Sequence, residues 1–295
     1  MAAHGYIDAD FQFHMGAVPG SAEEFFALSA EAPAALAQRH DWLTNEPQRH
    51  AALRPEGEII VGELLESMST WQILRDAPTG LWSPLAGAFS RLLMLGERLE
   101  PDLVILARRE SQEASPAEPV PRSSAAGEFT VAGGCVCFPS GWRLTDKLGQ
   151  SVQEVHQPVP QLNAVLGSQI DRLLSRLRPG KCVIRTNWGV CRSPELNQHP
   201  DRGLPPLESP VQLEKAWLRV EDQCLFKLPK SGGVIFGIRV THTSWSELRE
   251  TPLAARAIAR ALRTMPAELL EYKRLHAVSH ELAALLDSDV TRPQL

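Results

Sequence analysis

Apolar residues in this chain recur first at helical spacing and then at strand spacing, and the change of period divides the sequence. Ser21 and Glu24 have the capping-box separation just ahead of Phe25, Phe26 and Leu28, which predicts a helix start, and Pro33 kinks or divides that helix. A second helix is predicted over 58–74, with Ile59, Leu64, Leu65, Met68 and Ile73 on one face, and a third over 84–95. Beyond these the pattern turns to strands at 103–106, 128–138, 182–190, 216–228 and 233–243, with a turn at 229–232. The stretch 111–126, rich in Ser, Ala, Pro and Glu, reads as an exposed loop.

Two helices interrupt the strands, one over 145–156 with Thr145 as N-cap and ending at His156, the other over 162–177. Near the end, Pro252 opens a helix rich in Ala and Arg, and Pro266 opens another carrying Leu269, Leu270, Tyr272 and Leu275. Five strands with helical excursions predict an α+β fold, a small antiparallel sheet with helices packed on one face. We divide the chain into a helical N-terminal extension over 1–98, a sheet core over 99–250 and C-terminal helices over 251–295. A helix ending at His156 and lying over the sheet creates an apolar pocket in which a flat cofactor can sit.

Composition narrows the function classes. The 295 residues are 43% hydrophobic and 22% charged, as in an ordinary globular protein, and the formal net charge of -5 disfavours a nucleic-acid partner. The most apolar runs are too short to cross a bilayer, and the N-terminus lacks the basic and apolar regions of a signal peptide, so the expected location is cytoplasmic, away from membranes. The five cysteines, Cys135, Cys137, Cys182, Cys191 and Cys224, fit no disulfide framework, zinc site or iron–sulfur spacing. Electrons, if needed, then come from another protein.

The segment 137–160 reads CFPSGWRLTDKLGQSVQEVHQPVP, and further distinctive stretches are FHMGAV from Phe13, PDLVIL from Pro101, RTNWGV from Arg185 and LRVEDQCLFKLPKSGGVIFGIRV from Leu218. Together they resemble the heme-dependent oxidative N-demethylase alpha-subunit family, whose pattern has Phe-Pro-Ser-x-Trp, then Lys-x-Gly, then His-x-Pro-Val-Pro. The resemblance implies a PAS-like five-stranded antiparallel sheet binding one heme b. It further implies oxidation of a small amine by dioxygen to an imine that hydrolyses to an aldehyde, with an external electron donor, a flavin or iron–sulfur reductase on another chain. Two stretches depart from the family: Glu221-Asp222-Gln223-Cys224 where Glu-Arg-Gln-Thr is usual, and Glu100-Pro101-Asp102 where Gln-Glu-Asp is usual.

On that resemblance His156 is the axial iron ligand, its other ring nitrogen donating to a carbonyl or carboxylate; by position alone it is a histidine at a helix C-terminus. Cys135 or Cys137 as a thiolate ligand is the weaker alternative, since a Cys-x-Cys pair on a strand reads as core. Lys147, Arg185 and Arg219 are candidates for the heme propionates, against a solvated face for Lys147 and structural ion pairs for the two arginines. Asp102 and Glu221 are the carboxylates that could bind a protonated amine and take its proton, against ion pairing, for Glu221 with Arg219. Trp142 and Trp188 line the heme or fill the core, and Asn187 bonds oxygen or substrate or marks a bulge. A heme-based gas sensor without turnover, and a scaffold that has lost heme, are the rival functions.

Overall fold

The computed structural model describes residues 8–74, 87–109 and 128–287. In chain order these form β1 (Val18–Gly20), α1 (Ala22–Phe26), α2 (Ala32–Asn45), α3 (Pro47–His50), β2 (Ala51–Leu53), α4 (Glu58–Thr70) and α5 (Ala88–Gly96). Then come β3 (Asp102–Arg108), β4 (Phe129–Cys135), α6 (Val152–His156), α7 (Leu162–Arg176), β5 (Cys182–Cys191), β6 (Trp217–Lys227) and β7 (Val234–Ser244). The chain closes with α8 (Trp245–Arg249), α9 (Pro252–Thr264), α10 (Ala267–Tyr272) and α11 (Ser279–Asp287). The loop expected at 111–126 and the Pro84 helix start lie outside the described residues. No described helix is long and apolar enough to cross a membrane.

The fold is α+β, and its antiparallel sheet has seven strands in the order β1-β5-β6-β7-β3-β4-β2, not five. The five longer strands are those the sequence predicts. The two extra ones are the three-residue segments Val18-Pro19-Gly20 and Ala51-Ala52-Leu53, too short to show a period of two, and they add an edge at each side. The N-terminal segment therefore contributes to the sheet as well as to the helical layer. At Gly134 a Cβ would stand 2.3 Å from the Leu103 carbonyl oxygen, so β3 reaches β4 only because that side chain is missing.

Helices cover both sheet faces rather than one. Strand alternation sends Leu103, Ile105, Cys224, Phe226 and Ile235 into a core with Phe26 of α1, Leu64 and Met68 of α4 and Leu92 and Leu95 of α5. Val104, Leu106 and Val234 face the other way and meet Leu166, Ile170 and Leu174 of α7. A third cluster joins Leu218 and Val220 to Trp245, Ile258, Leu262, Leu269 and Leu282 of the C-terminal helices. Ile59 is 72% exposed, against expectation, because five residues separate it from Leu64, which is about 140° around a helix.

The segment before His156 is not one helix. Residues Thr145–Lys147 make a single 3-10 turn, Gly149 comes next at φ +76, and α6 then starts afresh. Ser151, not Thr145, is the N-cap: its hydroxyl accepts from the Glu154 N–H, and the Glu154 carboxylate accepts from the Ser151 N–H at 2.7 Å. Backbone bonds from Val131 to the Gln150 carbonyl (2.9 Å) and from Gly149 to the Val131 carbonyl (2.8 Å) pin this turn to β4. They fix where His156, the last residue of α6, can stand.

Candidate functional site

His156 is half-buried, beside the cluster that Val152 and Val155 join on the α7 side of the sheet. Burial, then the positive charges of Arg185 and Lys147, push its imidazole down to about 4, so the ring is neutral near pH 7. Its Nδ1 is buried with no hydrogen-bond partner among the described residues, so the carbonyl or carboxylate partner expected for that ring is not there. A neutral imidazole without a protein acceptor is a ring available to a ligand.

Arg185, on β5, and Lys147, in the turn before α6, lie within electrostatic reach of that ring. The Arg185 Nε is likewise buried without a partner, and burial lowers the guanidinium's pKa while Glu221 partly restores it. Two cations that depress the same histidine, one carrying an orphaned N–H, make a local excess of positive charge suited to an anionic group.

Next to them runs a row of polar side chains on one sheet face. In the β5–β6 ladder Arg185 opposes Gln223, Asn187 opposes Glu221 and Gly189 opposes Arg219, and opposed residues share a face. Asn187 sits in unbroken register rather than at a bulge, and its Nδ2 donates to Glu221 Oε2 at 3.3 Å. Gln223 Nε2 donates to the same oxygen at 2.9 Å, and the Ser140 hydroxyl donates to Oε1. Among the described residues Glu221 thus accepts from three uncharged donors and has no ion pair.

Arg219 does not pair with it. Its Nε donates to Ser140 Oγ at 2.7 Å, Nη1 to the Leu196 carbonyl at 3.0 Å and to His242 Nε2 at 3.2 Å, and Nη2 to the Phe138 carbonyl at 2.7 Å. Buried and fully engaged, this guanidinium is a structural clamp and has no donor to spare for a heme propionate. Asp102 is corrected in the same way. Only 1% exposed, it pairs with Arg39 Nη2 at 2.6 Å and accepts from the Cys137 and Phe138 N–H groups at 2.8 and 3.0 Å. Those two bonds also end β4 before Cys137, so Asp102 is part of the frame and unavailable to a substrate.

Strand parity decides Trp188 for the core rather than the heme. It opposes Val220 and packs with the C-terminal helices, on the face opposite Asn187 and Glu221. Trp142 packs on the α7-side cluster together with Val152 and Val155. The departures on β6 also lie away from the Glu221 face: Asp222 accepts from the Thr186 hydroxyl at 2.9 Å, and Cys224 is buried in the first core, where burial and Cys182 push its thiol up. Cys135 and Cys137 are buried, and burial and Cys135 hold the Cys137 thiol well above its ordinary range.

Sequence reasoning missed three contributors. Ser140 was in view inside the Phe-Pro-Ser-x-Trp stretch, but nothing marked it as a partner of Glu221. Lys273 and Tyr272, far downstream of Glu221 in the chain, carried no signal at all; both feel its negative charge. A separate cleft of about 520 Å³, bordered by Trp42, Glu46, Glu195 and Arg202, shares no side chain with this row, and its Arg202 already pairs with Glu195 and lies over the Trp42 ring.

Compared with known protein families, residues 21–283 match the model described as haem-dependent oxidative N-demethylase, alpha subunit-like. The match takes in every element of the polar row and every strand of the sheet except β1.

Proposed function

Because the chain belongs to the haem-dependent oxidative N-demethylase, alpha subunit-like family, we propose that it is a heme-dependent oxidoreductase that converts a small amine with dioxygen to an imine, which hydrolyses to an aldehyde. In this reading the cofactor is heme b, His156 is its axial ligand, and Lys147 and Arg185 meet its propionates. The five longer strands are the PAS-like core of that design. The observation that carries the reading is the His156 ring: neutral, free of protein partners among the described residues, and flanked by two cations. Such a donor set suits an iron porphyrin, which needs a basic nitrogen on the metal and positive charge at two carboxylates.

Heme, when bound, supplies the electron transfer and oxygen activation that amino-acid side chains lack. The chain does the rest. Glu221 binds the amine as its ammonium ion, since an anion held by neutral donors and lacking an ion pair has its charge free for a cation. Its carboxylate then takes the proton that the ammonium must lose before oxidation. Ser140, Asn187 and Gln223 fix both oxygens, so the carboxylate does not reorient during that transfer. The electrons balance when dioxygen is reduced to two waters: two come with the two hydrogens that the amine loses in becoming the imine, and two, with two protons from solvent, from a reductase carrying flavin or an iron–sulfur cluster on another chain, in keeping with the alpha-subunit description of the family.

The test is oxygen uptake by the purified, heme-loaded protein across a panel of secondary amines with a reductant. Uptake that requires both amine and reductant supports the proposal. Gas binding without consumption for every amine favours a sensor, and a protein that retains no heme overturns the reading.

A further inference from the structure

At one end of the sheet the chain gathers positive charge. β3 ends at Arg108, β5 is preceded by Lys181, β6 ends at Lys227, and α7 ends at Arg176 with Arg178 just beyond it. Backbone bonds tie these termini together: the Lys181 N–H donates to the Arg178 carbonyl at 3.0 Å, the Gly180 N–H to the Lys227 carbonyl at 2.8 Å and the Lys227 N–H to the Lys181 carbonyl at 3.3 Å. β7 bridges β6 to β3, since Val234 opposes both Lys227 and Leu106. Lys227 Nζ lies 5.8 Å from the centre of the Phe129 ring, and Phe129 is the ladder partner of Arg108.

Parity puts the strand cations on one face. Leu106, Val183 and Leu225 belong to the cluster under α7, and Arg108, Lys181 and Lys227 each stand two residues further along the same strand. Arg108, Arg176, Arg178 and Lys181 are exposed, Lys227 is half-buried, and among the described residues none of them forms an ion pair. Other cations at this end do have partners: Arg109 pairs with Glu128, and Lys230 with Glu66 of α4. The dipole at the C-terminus of α7 accounts for Arg176. It does not account for Lys181 and Lys227, which face each other one step beyond the Cys182–Phe226 pair, where like charges repel. In a chain whose formal net charge is -5, an anionic surface from outside relieves that repulsion.

We propose that this end of the sheet, with Arg108, Arg176, Arg178, Lys181 and Lys227, is the docking surface for a protein with an acidic face that delivers the electrons. The proposal rests on the functional reading above and adds where its donor sits. Lys181 and Arg185 lie four residues apart on one face of one strand, about 13 Å. A donor on the basic end therefore approaches the heme from the side of the propionate that Arg185 meets. Each delivery takes one electron from a reduced iron–sulfur cluster, which is oxidised, to ferric heme iron, which becomes ferrous; two deliveries supply the two electrons that the donor owes per turnover. A compact acidic face touches this end alone, whereas the negative charge of the rest of the chain repels an extended polyanion such as a nucleic acid or a membrane.

Fluorescence anisotropy of a labelled acidic [2Fe–2S] ferredoxin, titrated with the full-length protein at low salt, reads docking without relying on turnover. For Arg178→Glu combined with Lys181→Glu, both exposed positions, we expect affinity to fall by about tenfold. The difference from wild type should vanish at about 1 M salt, where charges act over only about 3 Å. Reversing two exposed cations elsewhere, Lys215→Glu with Arg256→Glu, should leave affinity within about twofold of wild type. In the heme-loaded protein, reduction by reduced ferredoxin should slow in parallel in the Arg178 and Lys181 variant, while reduction by dithionite is unchanged. Equal affinity in wild type and that variant, an equal loss in both double variants, or no ferredoxin binding by heme-loaded wild type overturns the inference alone. Tighter binding of phosphatidylserine vesicles or duplex DNA than of ferredoxin overturns the choice of partner. Wild-type protein that holds no heme yet binds ferredoxin through these cations overturns the functional reading and leaves the docking surface standing.

Discussion

Arg219 and Glu221 stand two residues apart on the same face of β6, yet they do not touch: the Ser140 hydroxyl lies between them, accepting from Arg219 Nε and donating to Glu221 Oε1. One serine thus separates a structural cation from a carboxylate with no ion pair of its own among the described residues. Direct contact would have tied the Glu221 carboxylate to Arg219 as an ion pair.

Replacing Ser140 with Ala tests that separation. The substitution removes two hydrogen bonds and leaves the buried Arg219 Nε without its acceptor, so we predict a loss of about 1–3 kcal/mol of stability. Glu221 then moves onto Arg219, and affinity for small ammonium ions falls in titrations of the folded variant. Unchanged amine affinity contradicts the separating role.

Asp102 is the contrasting carboxylate. Asp102→Ala leaves the Arg39 guanidinium, 0% exposed, without its counter-charge. We predict a destabilisation of about 3–5 kcal/mol, read from urea denaturation. A variant of native stability that has lost only amine turnover would return Asp102 to the catalytic group.

His242 predicts a pH dependence. Burial, then the charge of Arg219, push its pKa down from 6.5 to about 3 in the folded protein. Between those values the unfolded chain binds more protons than the folded one, so unfolding free energy rises with pH across the window, and acidification from 6.5 toward 3 removes stability. Ring resonances of His242 should therefore not titrate between about pH 5 and 8, the range in which an unperturbed imidazole changes charge. A midpoint near 6.5 contradicts the burial of this ring against Arg219.

The turn that carries His156 depends on its cap. Ser151→Ala removes one half of the capping box and should cost about 1 kcal/mol. Fraying of α6 then weakens heme retention, measured by the rate of transfer to a scavenger protein. Equal retention in both proteins would mean that the cap does not hold the ligand in place.

Much of this was legible in the sequence, for physical reasons that can be named. The five longer strands announce themselves because runs of seven to eleven residues carry enough β-branched and apolar side chains between turn signals to be read as strands. β1 and β2 hide because three residues cannot, and their pairing is decided by distant partners, Ile184 and Gly134 among them. The family motif points to His156, Lys147 and Arg185, and in the fold the charges of Lys147 and Arg185 reach the His156 ring. Asp102 and Arg219 were misread because a charged residue on an apolar strand looks the same in sequence whether it faces a ligand or a buried partner such as Arg39. Of the two roles the sequence leaves open for Trp188, strand parity selects the core, since one step along a strand is the difference between one sheet face and the other.

The central claim is that His156 gives its imidazole to iron. Its most direct test is the visible spectrum of His156→Gly, purified alongside wild type and titrated with free imidazole. We predict a Soret band in wild type, its loss or displacement in the variant, and its recovery as imidazole fills the vacated space. An identical spectrum in both proteins, unmoved by imidazole, would contradict the account.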